Sequence, residues 1–407
     1  MIVGSKRGRG LAGFAAIAIL AAACSSSGAS TAPSAAAPSA AAPSAAAPSA
    51  AGSAAAPSGS AAAKQFKIGF SNSFGIGNGF REEQLCTAKA QALVSGQVSD
   101  AKWIHQDDKQ YPQLQQMRDL VAAGVNAIVF NPLSADALQP AIDEAHAAGI
   151  KTIAIDAYVT DKDTLNLSNS QVDYGYIGAS WLFKQLGGKG KVYYMRGLAG
   201  HPADNDRHQG VMKALAENPG ITLLPNKDGV ATGWDPATGT NLITQFIQSG
   251  QYDQIQGIWT SGIDSQIVDA IQKAGKPYVP IVGADLKAFV GYLLNKDGKH
   301  DGLKGIAVYN PAAVGGAGVA LALKVLNGET VQTTDVTRKD SSGKDITIKG
   351  VFLPTPEAYD NVSDAGKAKL TEIYNPNLDN LWPVSWQIPG VTTYTFDQMK
   401  ACKGPGE

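Results

Sequence analysis

Charged residues are scarce in this chain, and their scarcity restricts the partners it can have. Lysine, arginine, aspartate and glutamate make up 17% of the 407 residues, and the formal net charge is -1. A protein that binds nucleic acid needs a basic surface to neutralise phosphates. We therefore expect no nucleic acid among the partners of this protein.

The sequence also lacks the patterns of common metal, phosphate and catalytic sites. The glycines at 75–79 have neither the GxGxxG order nor the lysine of a phosphate loop, and no Ser-His-Asp arrangement can be read from the sequence. The histidines show no metal-ligand spacing; they are His105, His146, His201, His208 and His300. We expect no metal, no cofactor and no enzymatic activity.

The N-terminus has the pattern of an exported protein. Lys6, Arg7 and Arg9 precede an apolar stretch at 11–23, as in a secretory signal, and this stretch is too short to span a bilayer. The string Leu20-Ala21-Ala22-Ala23-Cys24 resembles the lipobox of bacterial lipoproteins, whereas the alternative is an ordinary cleavage site beside an incidental cysteine. We predict a signal peptide at 1–23 and a lipidated Cys24 that anchors the protein outside the cytoplasm, at the cell membrane.

Residues 24–64 are predicted to form a tether. They consist almost entirely of alanine, proline, serine and glycine, and Pro33, Pro38, Pro43 and Pro48 recur with a period of five. Such a segment forms no helix and has no apolar mass to fold around. At about 3 Å per residue, an extended spacer of this length reaches at most on the order of 100 Å.

Two cysteines remain after Cys24, namely Cys86 and Cys402. In an oxidising compartment a remaining pair usually forms a disulfide, so we predict a Cys86–Cys402 bond. Two buried free thiols are the alternative. The bond would tie the C-terminal tail to the first helix of the fold.

Short apolar strands alternate with helical patterns from Lys67 onward. In the first half, strands at 67–70, 101–105, 127–130 and 152–155 alternate with helices at 80–95, 110–123 and 134–148. In the second half, the strands are at 191–195, 221–224, 255–259, 279–283 and 304–308, and the helices are near 205–217, 237–249, 264–274 and 312–326. This order predicts an α/β fold of two doubly wound parallel-sheet lobes.

Polar and aromatic side chains follow several of the predicted strands. Open parallel sheets bind ligands beyond the carboxyl ends of their strands, where loops converge. Carboxylates and arginine bind hydroxyl groups, and aromatic rings cover the C–H faces of a sugar. The residues at such positions include Asn72, Phe80, Arg81, Asp156, Arg207, Trp234, Ser261, Asp285 and Tyr309.

Several stretches, in this order, carry a resemblance to a known family. They are IGFSNSFGIGNGFREE, DLVAAGVNAIVFNPLSADALQPAIDEAHAAGIKTIAIDA, DRHQGVMKAL, ATGWDPATG, AIQKAG, IVGAD and GVALALKVLNGE. The chain from Phe66 to about Glu329 resembles the ribose and galactofuranose class of periplasmic sugar-binding proteins of ABC transporters. The resemblance implies the type I binding-protein fold, with two lobes joined by a three-segment hinge, and it does not name the ligand.

The resemblance also implies ligand contacts in the first lobe. Phe80 and Arg81 fall where furanose binders place an aromatic residue and an arginine, and Asp156 falls at the carboxylate that holds sugar hydroxyls. Ala157 stands where pyranose binders commonly have arginine. This difference favours a furanose or another sugar.

In the second lobe, the resemblance implies a further set of contacts. Arg207 or Asn205 falls near the family's arginine, Trp234 at its stacking aromatic residue and Asp285 at its second carboxylate. The two other positions depart from the family pattern: Tyr309 stands where glutamine is common, and Ser261 lies where an Asn-Asp pair is usual.

Structural roles are the alternatives for the second-lobe residues. Trp234 could pack at the start of a helix, Asp285 could cap the next helix, Tyr309 could pack at the hinge, and Arg207 could pair with Asp206. Asp156 is harder to explain in this way, because a carboxylate that ends an apolar strand is costly unless it is paired or bound.

The predicted boundaries follow from these assignments. The first lobe comprises 65–169 and 310–328, the second comprises 170–309 and about 329–355, and the tail at 356–407 packs on the lobes. We expect the chain to cross between the lobes near 168–170, near 309–310 and between 328 and 350.

The expected function is capture of a monosaccharide between the lobes by hinge closure. A monomeric solute-binding lipoprotein would then deliver the sugar to an ABC permease in the membrane. A sensory receptor that presents its closed lobes to a signalling protein fits the fold equally well. An enzyme acting on sugars is a third possibility, and it requires a paired acid and base in the cleft.

Overall fold

The structure is a computed structural model that describes residues 64–74, 77–340 and 342–407. The predicted signal peptide, Cys24 and the tether up to residue 63 lie outside the described residues. No helix in these ranges is long and apolar enough to cross a membrane.

Strands and helices alternate along most of the described chain. The strands are β1 (Phe66–Asn72), β2 (Val98–Ile104), β3 (Ala127–Asn131), β4 (Lys151–Ile155), β5 (Leu165–Ser168), β6 (Lys189–Arg196), β7 (Gly220–Leu224), β8 (Val230–Ala231), β9 (Gly257–Trp259), β10 (Ile281–Ala284), β11 (Gly305–Val308), β12 (Thr334–Lys339), β13 (Asp345–Phe352) and β14 (Ala358–Asp360). The α-helices are α1 (Gly79–Ser95), α2 (Gln113–Ala122), α3 (Gln139–Ala147), α4 (Gln171–Gln185), α5 (Pro202–Glu217), α6 (Pro236–Gln248), α7 (Asp264–Lys273), α8 (Lys287–Leu293), α9 (Val314–Asn327), α10 (Asp364–Ile373) and α11 (Phe396–Ala401), with a short 3₁₀ helix at Gln251–Gln254.

The strands form two sheets, one in each lobe. The first has the order β12-β13-β5-β4-β3-β1-β2, and the second has the order β14-β11-β10-β9-β6-β7 with β8 beside β6. All pairs are parallel except β12–β13 and β11–β14. Two doubly wound α/β lobes are therefore confirmed, with an antiparallel strand added at one edge of each sheet.

Apolar side chains cover both faces of each sheet. On the first sheet, one cluster includes Ile68 and Val319, and the other includes Met117 and Ile142. β3 is buried along its whole length, as a continuous apolar run in a central parallel strand predicts. The second sheet has an equivalent pair of clusters on its two faces.

Between β1 and α9, the predicted alternation missed β5, α4, β8 and α8. α4 packs closely on α5 through glycines, because a Cβ on Gly175 would lie 2.0 Å from the Arg207 carbonyl oxygen and one on Gly210 would lie 2.0 Å from that of Val172. Apolar residues occur on several sides of α4, so they do not recur with a clear helical period in the sequence.

The placement of residues 329–355 in the second lobe is wrong. Lys349–Phe352 of β13 pair in parallel with Leu165–Ser168 of β5, so the β12–β13 hairpin extends the first sheet. The pairing covers an edge that β5 would otherwise leave open. The chain passes between the sheets at 169–170, 309–313 and 353–357, and the third passage therefore lies after 350 rather than before it.

The C-terminal tail spans both lobes. Leu370 and Leu378 pack in the apolar cluster of the second sheet, and α11 lies against α1. The predicted Cys86–Cys402 disulfide is present, with a Cα–Cα distance of 4.3 Å, and the Lys89 Nζ atom lies 2.8 Å from the Glu407 carboxylate. The tail is thus covalently held to the first lobe.

We expect Cys402→Ser to lower the free energy of unfolding by about 2–4 kcal/mol, because the bond closes a long loop and constrains the unfolded chain. Chemical denaturation of residues 64–407 under oxidising conditions measures the effect. Reduced wild-type protein is the matched control and should unfold at the same denaturant concentration as the variant. Equal stability of the variant and the oxidised wild type would contradict this prediction.

Candidate functional site

A cleft lies between the two lobes, at the carboxyl ends of the strands. Its volume is about 650 Å³, including space open to solvent, which is within the range of small-molecule sites. The lining residues are Gly77, Asn78, Gly79, Phe80, Arg81, Asp156, Arg207, Trp234, Pro236, Ser261, Gly262, Ala284, Asp285, Leu286, Asn310, Leu381 and Pro383. Seven of the predicted ligand-binding residues therefore share one cleft.

Arg81 projects from the first turn of α1, whose start is fixed by Asn78. The Asn78 side chain accepts from the Arg81 backbone N–H at 3.1 Å, as an N-cap residue does. The Arg81 guanidinium is buried and donates from Nη1 to Asn72 Oδ1 at 3.0 Å. Burial lowers the pKa of Arg81 to about 10, so the side chain is still cationic at neutral pH.

Asp156 follows β4 with a left-handed backbone, at a φ of 65°. This conformation is costly for a residue other than glycine and is often found at functional sites. Its Oδ1 accepts from Asn310 Nδ2 at 3.0 Å and from Gln171 Nε2 at 3.2 Å, and its Oδ2 accepts from Asn131 Nδ2 at 3.2 Å. Neutral amides thus hold the carboxylate in place at the cleft, and within the described ranges no cation forms an ion pair with it.

Arg207 is the cationic group of the second lobe. Its Nε donates to Gln171 Oε1 at 2.8 Å and its Nη1 donates to Ser261 Oγ at 3.3 Å. The guanidinium lies over the Tyr174 ring, 4.1 Å from the centroid, in a cation–π arrangement. Asp206, the neighbour considered as its partner, instead lies 3.2 Å from Arg338 Nε of the first-lobe hairpin.

Trp234 also has a left-handed backbone, at a φ of 52°. A Cβ on Gly197 would come within 2.0 Å of the Trp234 ring, so glycine at that position makes room for the indole. His201 contacts the ring edge-on, with the centroids 4.9 Å apart. The adjacent residue, Asp235, is the N-cap of α6, and its side chain accepts from the Thr238 backbone N–H at 2.7 Å.

The lobes touch each other across the cleft at Arg81 and His201. Arg81 Nη2 lies 3.2 Å from His201 Nε2, and the Ala203 backbone N–H donates to His201 Nδ1 at 3.2 Å. Burial, together with the nearby Arg81 and Arg207 charges, lowers the pKa of His201 well below its usual value. A neutral imidazole accepts at only one nitrogen, so His201 accepts from only one of these two N–H groups at a time.

Two buried aspartates fix the loops of the second lobe. Asp264 accepts from the Gly262 and Ala284 backbone N–H groups at 3.2 and 3.0 Å, and burial raises its pKa to about 7. Asp285 accepts from the Asn310 backbone N–H at 3.1 Å and from the Ser385 hydroxyl, and burial raises its pKa to about 6. Asp285 lines the cleft but makes no cap for α8, whose N-cap residue Leu286 has no side-chain cap bond.

Three predicted ligand contacts do not line the cleft. Asn72 is buried, and its Oδ1 accepts from the Arg81 guanidinium and so orients it. Asn205 is exposed on α5, with its Oδ1 3.5 Å from Arg196 Nη2, because successive helical residues point in different directions. Tyr309 packs edge-on against Tyr359, with the ring centroids 5.3 Å apart.

Sequence reasoning did not assign four residues to the cleft, namely Gln171, Asn310, Leu381 and Pro383. Asn310 was predicted only as part of the crossing between the lobes at 309–310, and Gln171 directly follows the predicted crossing at 168–170, so the position of both along the chain was a usable signal. Leu381 and Pro383 come from the tail. No pattern in the sequence connects them to the cleft. Within the described ranges, no group of three or more His, Cys, Asp or Glu residues is placed to hold a metal ion.

Comparison with known protein families gives one match over most of the fold. The family model described as a periplasmic binding protein domain matches residues 68–330. This range contains β1 to β11 and α1 to α9, and it leaves out β12 to β14, α10 and α11. The tail residues that line the cleft lie outside it.

Individual proteins are similar to about half of this chain. A xylitol-binding protein of Mycolicibacterium smegmatis is 29% identical over 235 residues, which are 55% of this chain and 63% of that protein. A ribose import binding protein of Salmonella typhimurium is 28% identical over 54% of this chain and 72% of that protein.

Solved structures share the fold. A galactofuranose-binding protein has a TM-score of 0.61 at 21% identity and covers 75% of this chain and 98% of its own. An ABC transporter solute-binding protein from Thermobispora bispora has a TM-score of 0.64 at 22% identity, with coverage of 84% and 98%.

The raised pKa of Asp264 predicts a pH-dependent difference between the wild type and Asp264→Asn. Between pH 5 and pH 7 the folded state keeps a proton on Asp264 that the unfolded chain has lost, so this group stabilises the wild type at low pH and the contribution disappears as pH rises through about 7. The stability advantage of the wild type over Asp264→Asn should therefore shrink by roughly 1–3 kcal/mol between pH 5 and pH 8. Urea denaturation at both pH values measures it, and an advantage that grows with pH would contradict the assignment.

Proposed function

The chain belongs to the periplasmic binding protein family, and we propose that it captures a small sugar or polyol between its two lobes. The observation that carries the proposal is the distribution of side chains across the cleft. Arg81, Asp156 and Phe80 come from the first lobe, and Arg207, Trp234 and Ser261 come from the second. Each lobe thus supplies a charged hydrogen-bonding group and an aromatic ring.

This combination suits a ligand with many hydroxyl groups and apolar C–H faces. Hydroxyls donate to the Asp156 carboxylate and accept from the guanidinium groups, in charge-assisted bonds that are stronger than neutral ones. The Phe80 and Trp234 rings can cover C–H faces. Similar proteins, which include xylitol-, ribose- and galactofuranose-binding proteins, support the same ligand class.

The proposed mechanism is closure of the lobes around the ligand. Because the charged groups stand on opposite lobes, a ligand bridges them only when the lobes are close, and this differential contact favours the closed state. Gln171 and Asn310, at the passages between the lobes, bond to Asp156 and so link the hinge to the ligand site.

We further propose the context in which the protein works. Lipidation of Cys24 would anchor a monomer outside the cytoplasm, with residues 25–64 as a spacer, and an ABC permease would accept the sugar from the closed form. The family consists of binding proteins and not of enzymes, so catalysis has no place in the proposal.

The direct test is calorimetric titration of residues 64–407 with D-ribose, xylitol, D-galactose and L-arabinose. At least one should bind, and Asp156→Asn should weaken its binding by about 10- to 100-fold, since a hydrogen bond to a charged group contributes roughly 1.5–3 kcal/mol. Trp234→Ala should also weaken it, by about tenfold or more.

Asn205→Ala is the matched control, because Asn205 lies on the same helix as Arg207 but is exposed outside the cleft. Its affinity should equal that of the wild type. Absence of binding by all four compounds would contradict the proposed ligand class.

A further inference from the structure

The C-terminal tail is bonded to the second lobe beside the cleft. The Lys287 and Ala288 backbone N–H groups donate to the carbonyls of Trp382 and Asn380 at 2.8 and 3.0 Å. The Val384 backbone N–H donates to the Asp285 carbonyl at 2.8 Å, and the Ser385 hydroxyl donates to the Asp285 carboxylate. These bonds fix residues 380–385 along the start of α8.

The same segment also contacts the first lobe. A Cβ on Gly79 would lie 2.3 Å from the Leu381 carbonyl oxygen, so only glycine lets the tail approach α1 so closely. Further along, Gln91 and Thr393 exchange two hydrogen bonds, at 2.9 and 3.0 Å, and the disulfide joins Cys402 to Cys86. The tail therefore passes from one lobe to the other at the edge of the cleft and is held on both.

Within the cleft, the tail contributes Leu381 and Pro383. Pro383 pairs with Leu286 in an isolated β-bridge, and Ala284 lines the same cleft. The side chains of these four residues are apolar, and the Asp285 carboxylate between Ala284 and Leu286 already accepts from the Ser385 hydroxyl and the Asn310 backbone N–H. Both tail residues lie outside the range that matches the family model.

We propose that Leu381 and Pro383 form a specificity wall, which selects a sugar whose covered end carries a methyl group or a hydrogen in place of a hydroxymethyl group. This inference rests on the proposed function and names the ligand class more closely. A hydroxyl buried against this wall would lose its hydrogen bond to water and gain none from the leucine and proline side chains. A methyl group there is buried favourably.

The experiment compares three sugars that differ only at the relevant end. D-Fucose is D-galactose with the C6 hydroxyl removed, and L-arabinose is the same ring without C6. Wild-type protein, residues 64–407 with the disulfide intact, should bind D-fucose or L-arabinose at least about tenfold more tightly than D-galactose, as expected for one unsatisfied buried hydroxyl.

Two variants connect the preference to the wall. Leu381→Asn introduces a hydrogen-bonding side chain and should reduce the preference to threefold or less, or reverse it. Leu381→Met keeps an apolar side chain of similar size and should leave the preference as in the wild type. Thermal unfolding of both variants shows whether either substitution has disturbed the fold.

The outcomes separate this inference from the proposed function. If the wild type binds D-galactose as tightly as D-fucose, or if Leu381→Asn keeps the full preference, the wall does not select. If another sugar of the panel binds and its affinity changes less than threefold in Leu381→Asn, the inference fails and the proposed function stands. If no sugar or polyol binds, both fail.

Discussion

The cleft depends on a single buried amide, that of Gln171. Its Nε2 lies 3.2 Å from Asp156 Oδ1, 2.8 Å from Asn169 Oδ1 and 2.9 Å from Asn310 Oδ1, so its two N–H groups are shared among three acceptors. Its Oε1 accepts from Arg207 Nε at 2.8 Å. One side chain therefore joins the carboxylate of the first lobe, two hinge residues and the guanidinium of the second lobe. Because a neutral amide has both donors and an acceptor, it can orient two groups of opposite charge without neutralising either, which leaves both available to a ligand.

The tail adds a second constraint, from residues that lie outside the range of the family match. A two-lobed protein hinged at one side is free to open widely at the other, but this chain has a segment bonded to both lobes and closed by a disulfide. The segment brings apolar side chains to a cleft that is otherwise rich in charge. The cleft thus combines residues within the family match with residues beyond it, and the disulfide holds in place the tail that contributes the latter.

Much of the fold could be predicted from the sequence because apolar strands and amphipathic helices alternate with clear periods. Arg81, Asp156 and Trp234 could be found because each follows a strand or begins a helix at the edge where parallel sheets bind ligands. The partner of β13 could not be predicted, since a strand's own pattern does not specify which sheet edge is open to it. The position of Leu381 and Pro383 in the cleft could not be predicted for a similar reason, because it depends on the path of the tail across both lobes. Leucine and proline are also common in the cores of proteins, so their residue types do not indicate a binding site.

The most direct test of this account is a crystal structure of residues 64–407 with the sugar or polyol that binds most tightly. The account predicts one ligand molecule between the lobes, with its hydroxyls bonded to Asp156, Arg81 and Arg207, a C–H face on Trp234 and one end against Leu381 and Pro383. A ligand bound elsewhere on the protein, or held by one lobe alone, would contradict it.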